Sequence, residues 1–501
     1  MAATRRHHHE DHGASTPLPK IQIPSKVLTG VGIGMIVGTI LTTYALFVEE
    51  GKKPIFLPTI SNTWEAPPGN YISRFFAGYA CDMLYMAAIF IYWARVTVLA
   101  QSPEPGFIVS EGVLLVISLD CRGGPEIHVF CAVTFFVLFD MFGIITSAQT
   151  PHSRGIFARR VDVLLVGISI ISKVRFIPGI EKVLDETPLA VFEWSNVGAI
   201  CGWVVHYVFT FAPSVNLSFV KVVSRSIARY LRSISLGACV MTLLSTLIAT
   251  AVFGELPSGH LPFISDLWVY VPGDWISRWG TIQGCTCAIV SQIFLYLART
   301  DDGSETGVEE AMSQGSIAMV SRGQDEEDVK ELMASRRVEA AVAGATAYER
   351  EKYEYPLLIL SVVAFLGLSV VGCVDEKANI TVHSIAAGVF FGGFDIYMFL
   401  RMILNAFPIG YKRQGWVVFV LSVLSKQRFL ISREPETLIT TNFEVILEWT
   451  NTFCIVYFMY LEVFKLPNTT NFYLMVLGHG GSRSSASTDE SGGSYARISG
   501  Y

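Results

Sequence analysis

Charge is what this sequence has least of. Only 16% of its 501 residues are Asp, Glu, Lys or Arg, where a soluble chain carries about a quarter. The shortfall is concentrated in apolar stretches of roughly 18 to 25 residues, each long enough to cross a hydrocarbon core about 30 Å thick. With 51% apolar residues, the chain cannot be a soluble globular protein. A net charge of 37 − 43 = −6, with no basic block, excludes nucleic acid as a partner. The nine cysteines lie mostly inside apolar runs, and Cys285-x-Cys287, the closest pair, sits within one. That pattern matches neither a zinc site nor a disulfide framework, so no metal and no cofactor is implied. The phosphate loop, the Gly-x-Ser-x-Gly elbow, His-Glu-x-x-His and the dinucleotide fingerprint are missing too. The first apolar run begins near Val27 with no small-residue cleavage site behind it, and reads as an anchor that stays in the protein. His7-His8-His9 and His12 before it read as a solvated tail rather than a metal site.

What is there is a series of spans. Twelve are expected, near 27–48, 72–99, 106–119, 128–147, 161–173 and 189–211, then 234–253, 276–297, 356–374, 380–404, 416–430 and 445–464. The fold class is therefore an all-α polytopic membrane protein. Basic residues orient it. Arg154, Arg159 and Arg160, then Lys221, Arg225, Arg229 and Arg232, then Arg401, Lys412 and Arg413 all fall on the N-terminal side, which makes both termini cytosolic. The sequon Asn379-Ile380-Thr381 then faces the lumen, close to the membrane.

The spans divide into two copies of one unit. Leu57-Pro58-Thr59-Ile60-Ser61 and Pro68-Gly69-Asn70-Tyr71-Ile72-Ser73-Arg74 return as Leu261-Pro262-Phe263-Ile264-Ser265 and Pro272-Gly273-Asp274-Trp275-Ile276-Ser277-Arg278. At an offset of 204, ten of the nineteen positions 57–75 are identical, where chance would give about one. Further on the offset is 255. It pairs Asp120 with Asp375, His128 with His383, Phe139-Asp140 with Phe394-Asp395, and Glu193-Trp194 with Glu448-Trp449. The difference, 255 − 204 = 51, is an acidic insertion at 300–352. Six spans per copy make the two repeats parallel in the membrane. The expected organisation is a disordered cytosolic tail at 1–26, repeat one at 27–212 and a basic cytosolic linker at 213–232. Repeat two follows at 233–466, carrying the insertion, and a second disordered tail at 467–501.

The recurring polar residues gather at the lumenal loops. His and Glu are 65 residues apart in each copy, since 193 − 128 and 448 − 383 agree. Ionisable groups beside a bilayer need a partner or water, and two readings stay open. His128 with Glu193, and His383 with Glu448, either pin helix ends together or line a pocket for a lipid headgroup, where His can act as general base. Arg74 and Arg278 either anchor at the interface or hold a phosphate. Ser61, Ser265, Asp120 and Asp375 complete the candidate lipid-binding set. Asp140 and Asp395 fall near mid-span and require partners that the sequence does not identify.

The repeated Leu-Pro-x-Ile-Ser loop, the Tyr/Trp-Ile-Ser-Arg entry to the next span, the His opening the fourth span and the Glu-Trp of the sixth resemble the family uniting the FGF-receptor-activating protein, DRAM and Sfk membrane proteins. Leu57-Pro58-Thr59-Ile60-Ser61 with Tyr71-Ile72-Ser73-Arg74-Phe75 is most similar to its branch called post-GPI attachment to proteins factor two. The resemblance covers about 27–212 and again 233–466, whereas members of the family carry one unit. It implies a Golgi or endoplasmic reticulum membrane protein needed when the lipid of GPI anchors is exchanged, with membrane lipids and GPI-anchored proteins as partners. It carries over no catalytic residues. Glu193-Trp194 is closer to the DRAM side, where the implied role is a non-enzymatic organiser in autophagy or phosphoinositide signalling, docking partners at 300–352. A transporter is the third reading, from the parallel repeats.

Overall fold

The computed structural model describes residues 21–50, 57–93, 125–149, 155–177, 179–211, 215–221, 227–253, 262–269, 271–300, 353–374, 376, 379–404, 409–426, 438–465 and 472–478. The third expected span, the acidic insertion and both chain ends lie outside these residues.

The first half runs β1 (Ile21–Pro24), α1 (Ser25–Glu49), α2 (Ile60–Glu65), α3 (Gly69–Ile72), a π-helical turn, α4 (Gly78–Trp93), α5 (Pro125–Gln149), α6 (Ile156–Ser172) and α7 (Glu186–His206). After β2 (Val215–Lys221), the second half runs α8 (Ile227–Phe253), α9 (Ile264–Leu267), α10 (Gly273–Thr300), α11 (Tyr353–Cys373), α12 (Ile380–Ile403), α13 (Ile409–Ser425) and α14 (Leu438–Lys465), and β3 (Phe472–Gly478) follows. Among the described residues, six helices are long and apolar enough to cross a membrane: Ser25–Glu49, Val129–Ala148, Glu186–Thr210, Leu231–Phe253, Tyr353–Cys373 and Ile380–Ile403. Ser25–Glu49, with 25 residues, spans about 37 Å at 1.5 Å per residue.

These helices place apolar side chains outward as well as inward. Phe130 is 70% exposed, Phe253 65% and Ile385 62%, which suits contact with acyl chains and not with water. Hydroxyls inside the apolar runs are satisfied locally. Thr39 donates to the Met35 carbonyl (2.7 Å), Thr246 to Thr242 (2.9 Å) and Thr250 to Thr246 (2.8 Å), the i−4 bond that lets a hydroxyl sit in a helix without an outside partner.

Each half has its own core. Phe135, Phe139, Val166, Trp203 and Tyr207 form the first, and Phe365, Phe394, Tyr397, Met398 and Phe458 are central to the second. A third cluster joins the halves, with Ala77 and Cys81 against Ile282 and Cys373. Polar bonds cross the same seam. Gln283 donates to Asp82 Oδ1 (2.6 Å), Thr286 donates to Asp82 Oδ2, and Tyr79 bonds Ser369 (2.7 Å). Asp82 and Thr286 are 286 − 82 = 204 residues apart, the offset at which the Leu-Pro-x-Ile-Ser loops recur.

Beside this helical body the three strands form an antiparallel sheet in the order β1-β2-β3, with Ile21 opposite Phe219 and Val215 opposite Gly478. The strands fall in the segments expected as a disordered tail, a basic linker and a second disordered tail. Their pairing brings the chain before α1, between the halves and after α14 to one end of the molecule. The short helices α2, α3 and α9 lie at the opposite end, which follows from the direction of α1 and α8.

Candidate functional site

At that opposite end, the Glu-Trp pair of each half clamps the Leu-Pro-x-Ile-Ser loop. Glu193 Oε1 accepts from the Ser61 backbone N–H (3.0 Å) and hydroxyl (2.8 Å), and Trp194 Nε1 donates to the Pro58 carbonyl (2.8 Å). In the second half Glu448 Oε1 accepts from the Ser265 N–H (3.4 Å), and Trp449 Nε1 donates to the Pro262 carbonyl (3.0 Å). The loop folds tightly because glycine allows it: a Cβ on Gly69 would lie 2.1 Å from the Thr63 carbonyl oxygen, and one on Gly273 2.0 Å from that of Leu267. Glu193 and Glu448 therefore hold backbone as well as facing the bundle end.

Deeper in each half the mid-span aspartates have found cations. Asp140 Oδ2 lies 2.6 Å from Lys173 Nζ, and Asp395 Oδ2 lies 2.6 Å from Lys426 Nζ. Ser169 Oγ is 2.7 Å from Asp140 Oδ1 and 3.1 Å from Asn196 Oδ1. Ser422 Oγ is 2.7 Å from Asp395 Oδ1 and 2.9 Å from Asn451 Oδ1. Each ammonium also reaches the Asn oxygen, at 3.3 Å and 3.2 Å, and lies over a phenylalanine ring, Phe136 at 5.6 Å and Phe391 at 5.8 Å. A buried ion pair persists only when hydrogen bonds complete it, and the Ser and Asn supply them. The lysines were missed in the sequence because Ser-x-x-Ser-Lys recurs at 426 − 173 = 253, two residues off the register of the aspartates.

The second half also encloses a cavity. It holds about 1080 Å³ of empty space, counting its open mouth. Ser265, Trp268, Glu376, His383, Ser384 and Glu448 form its polar part, and Phe365, Leu368, Phe390, Phe391, Ile455 and Met459 its apolar part. His383 Nδ1 lies 2.8 Å from the Val374 carbonyl. A carbonyl only accepts, so Nδ1 carries a proton and donates it to that bond. Asn379 Oδ1 caps α12 by accepting from the Val382 N–H (3.1 Å), which sets His383 one turn into that helix.

The structure thus brings Ser265, His383 and Glu448 to one cavity, and joins Ser61 to Glu193. Arg74 and Arg278 lie inside the protein, 3% and 2% exposed. Arg74 donates to the Cys373 carbonyl across the seam (3.3 Å), and Arg278 pairs with Asp274 (2.8 Å). Asp120, Asp375 and the His128 side chain lie outside the described residues. Among the described residues no group of three or more His, Cys, Asp or Glu could hold a metal ion.

At the strand end the second half contains a buried cluster that repeat matching could not see. Arg401 Nη1 lies 2.9 Å from Glu354, Arg232 lies 2.9 Å from Glu462, and the Tyr397 hydroxyl donates to Glu462 (2.7 Å) while Gln292 lies 3.2 Å from it. Two positive and two negative groups cancel within it.

Residues 228–475 match the family model for the Frag1/DRAM/Sfk1/Cwh43P N-terminal domain. The match spans the second half of the chain, the residues lining the cavity among them, and supports the FGF-receptor-activating/DRAM/Sfk membrane family. No curated protein and no solved structure matches the chain.

Proposed function

We propose that this protein is a tandem duplication of the family's six-span unit, with twelve spans and cytosolic termini, and that it serves the lipid remodelling of GPI-anchored proteins in the Golgi or endoplasmic reticulum. The observation that carries a lipid role is the cavity of the second half. Its wall is polar where Ser265, His383 and Glu448 meet and apolar beside Phe365, Leu368 and Met459, the division a lipid headgroup and acyl chain require. The duplication is supported by the two clamps, the two Asp–Lys networks and the Asp82–Thr286 contact between equivalent positions. The resemblance of the Leu-Pro-x-Ile-Ser loops supplies the GPI branch.

Binding a lipid by its head does not require chemistry, although His383 Nε2 is free to take a proton from a lipid hydroxyl in its neutral form. The test is the lipid composition of GPI anchors in cells lacking the protein, then restored with wild type, with His383→Ala, or with residues 300–352 deleted. Wild type and the deletion should restore it and His383→Ala should not. Restoration by His383→Ala and failure of the deletion would instead favour an organiser that docks partners through 300–352.

A further inference from the structure

The cavity wall has a chemical sign. Its acidic members, Glu376 and Glu448, are joined by His383 and by the hydroxyls of Ser265, Ser384 and Thr452, and no lysine or arginine is among the described residues that line it. Lys426 lies behind the lining residue Phe391 and is engaged by Asp395 at 2.6 Å. Two carboxylates in a confined space repel a phosphate or carboxylate headgroup. Carboxylates accept hydrogen bonds, so a ligand that donates suits them.

One wall residue makes the opposite demand. Trp64, in the first half, donates its indole N–H to Thr43 Oγ1 (3.1 Å). Trp268, its equivalent at the offset of 204, lines the cavity, and its buried Nε1 has no hydrogen-bond partner among the described residues. A buried donor left unmade is costly. An acceptor in the cavity would satisfy it.

Acceptors for a ligand's protons and a donor for its oxygen together define a hydroxyl group, which both gives and receives. We propose that the cavity binds a lipid with a phosphate-free, hydroxyl-bearing headgroup, its hydroxyls between Glu376, His383, Glu448 and Trp268 and an acyl chain against Phe365, Leu368 and Met459. This rests on the lipid reading above and narrows it: an anionic headgroup is refused.

The full chain in nanodiscs of neutral lipid would be irradiated with photoreactive monoacylglycerol, fatty acid and lysophosphatidic acid of one chain length, at neutral pH. Monoacylglycerol should label it at least tenfold more than either anion, with the label on peptides from 353–403 or 438–465. Ala387→Trp, which fills the cavity, should abolish that labelling, while Glu376→Gln should raise fatty-acid labelling about fivefold. Trp268→Phe should lower monoacylglycerol labelling several-fold. Variants are compared only where their thermal transitions match wild type, and Trp268→Phe and Glu376→Gln keep the test open if Ala387→Trp does not fold. Equal labelling by the anions would overturn the selectivity and leave the lipid role intact. No labelling of these peptides by any probe would overturn both.

Discussion

The two halves differ most where repetition would predict sameness. At the loop end both have a Glu-Trp clamp, and deeper in, the Asp, Lys, Ser and Asn networks match within 0.2 Å. At the strand end they part. Tyr397, Arg401 and Glu462 correspond at 255 to Phe142, Thr146 and Tyr207, and Gln292 at 204 to Ala88. Thr39 and Thr43 correspond to Thr246 and Thr250 at 207, and the same step takes Arg232 to Ser25. Where the second half buries balanced charges, the first stacks Trp203 on Tyr207 (5.0 Å between ring centres) with Phe142 edge-on to Trp203 (5.4 Å). On the proposed duplication, ion cluster and aromatic stack are alternative fillings of one position, and the clamp and the Asp–Lys network, present in both halves, are what the unit itself uses.

The largest effect should come from breaking the ion cluster unevenly. Arg401→Ala leaves Glu354 and Glu462 short of a cation inside the protein, at a cost of about 3–5 kcal/mol. The protein should then fail to accumulate in membranes, as fluorescence-detected gel filtration would show. Transplanting the first half's residues together (Arg232→Ser, Gln292→Ala, Tyr397→Phe, Arg401→Thr, Glu462→Tyr, with Glu354→Leu to remove the last charge) should be milder than the single change. If the sextuple variant is the worse of the two, the fillings are not interchangeable.

Next in size are the paired lysines. Lys173→Met and Lys426→Met each strand a buried aspartate, and each should lower the thermal transition in detergent by a similar amount, corresponding to about 3 kcal/mol. A large effect in one half alone would mark that network as functional rather than architectural. Asp395→Asn combined with Lys426→Met should recover much of the loss.

The smallest effects sharpen the contrast between equivalent tryptophans. Trp64→Phe removes a hydrogen bond to Thr43 and should cost about 1 kcal/mol. Trp268→Phe removes a donor that has no protein partner, so the ligand-free protein should lose little or no thermal stability. The reverse order would remove the reason for assigning that donor to a ligand.

Much of this was legible in the sequence, and for identifiable reasons. The clamp residues and Asp140 with Asp395 announced themselves by recurring at fixed offsets. Lys173 and Lys426 recur as well, but two residues out of register, because Lys173 follows Asp140 by 173 − 140 = 33 residues and Lys426 follows Asp395 by 426 − 395 = 31; a search for Ser-x-x-Ser-Lys at any offset would have found them. Arg401, Glu354, Glu462 and Arg232 left no such signal, since a cluster present once cannot be found by matching copies. Arg74 and Arg278 look interfacial beside Tyr71 and Trp275, yet are buried at the seam. For Arg74 packing between the halves decides that, through the Cys373 carbonyl, whereas Arg278 is paired within its own helix by Asp274. The sheet was hidden for another reason: its strands lie far apart in the chain, in segments that carry no strand pattern strong enough to stand out beside apolar spans.

The most direct test is whether equivalent positions meet at the seam. In a chain otherwise stripped of cysteine, Asp82→Cys with Thr286→Cys should form a disulfide under mild oxidation in native membranes, visible after proteolysis between the halves as two fragments held together until reduced. Fragments that separate without reductant, in a protein that still accumulates and is protected from protease, would show that the two halves do not face each other across that contact.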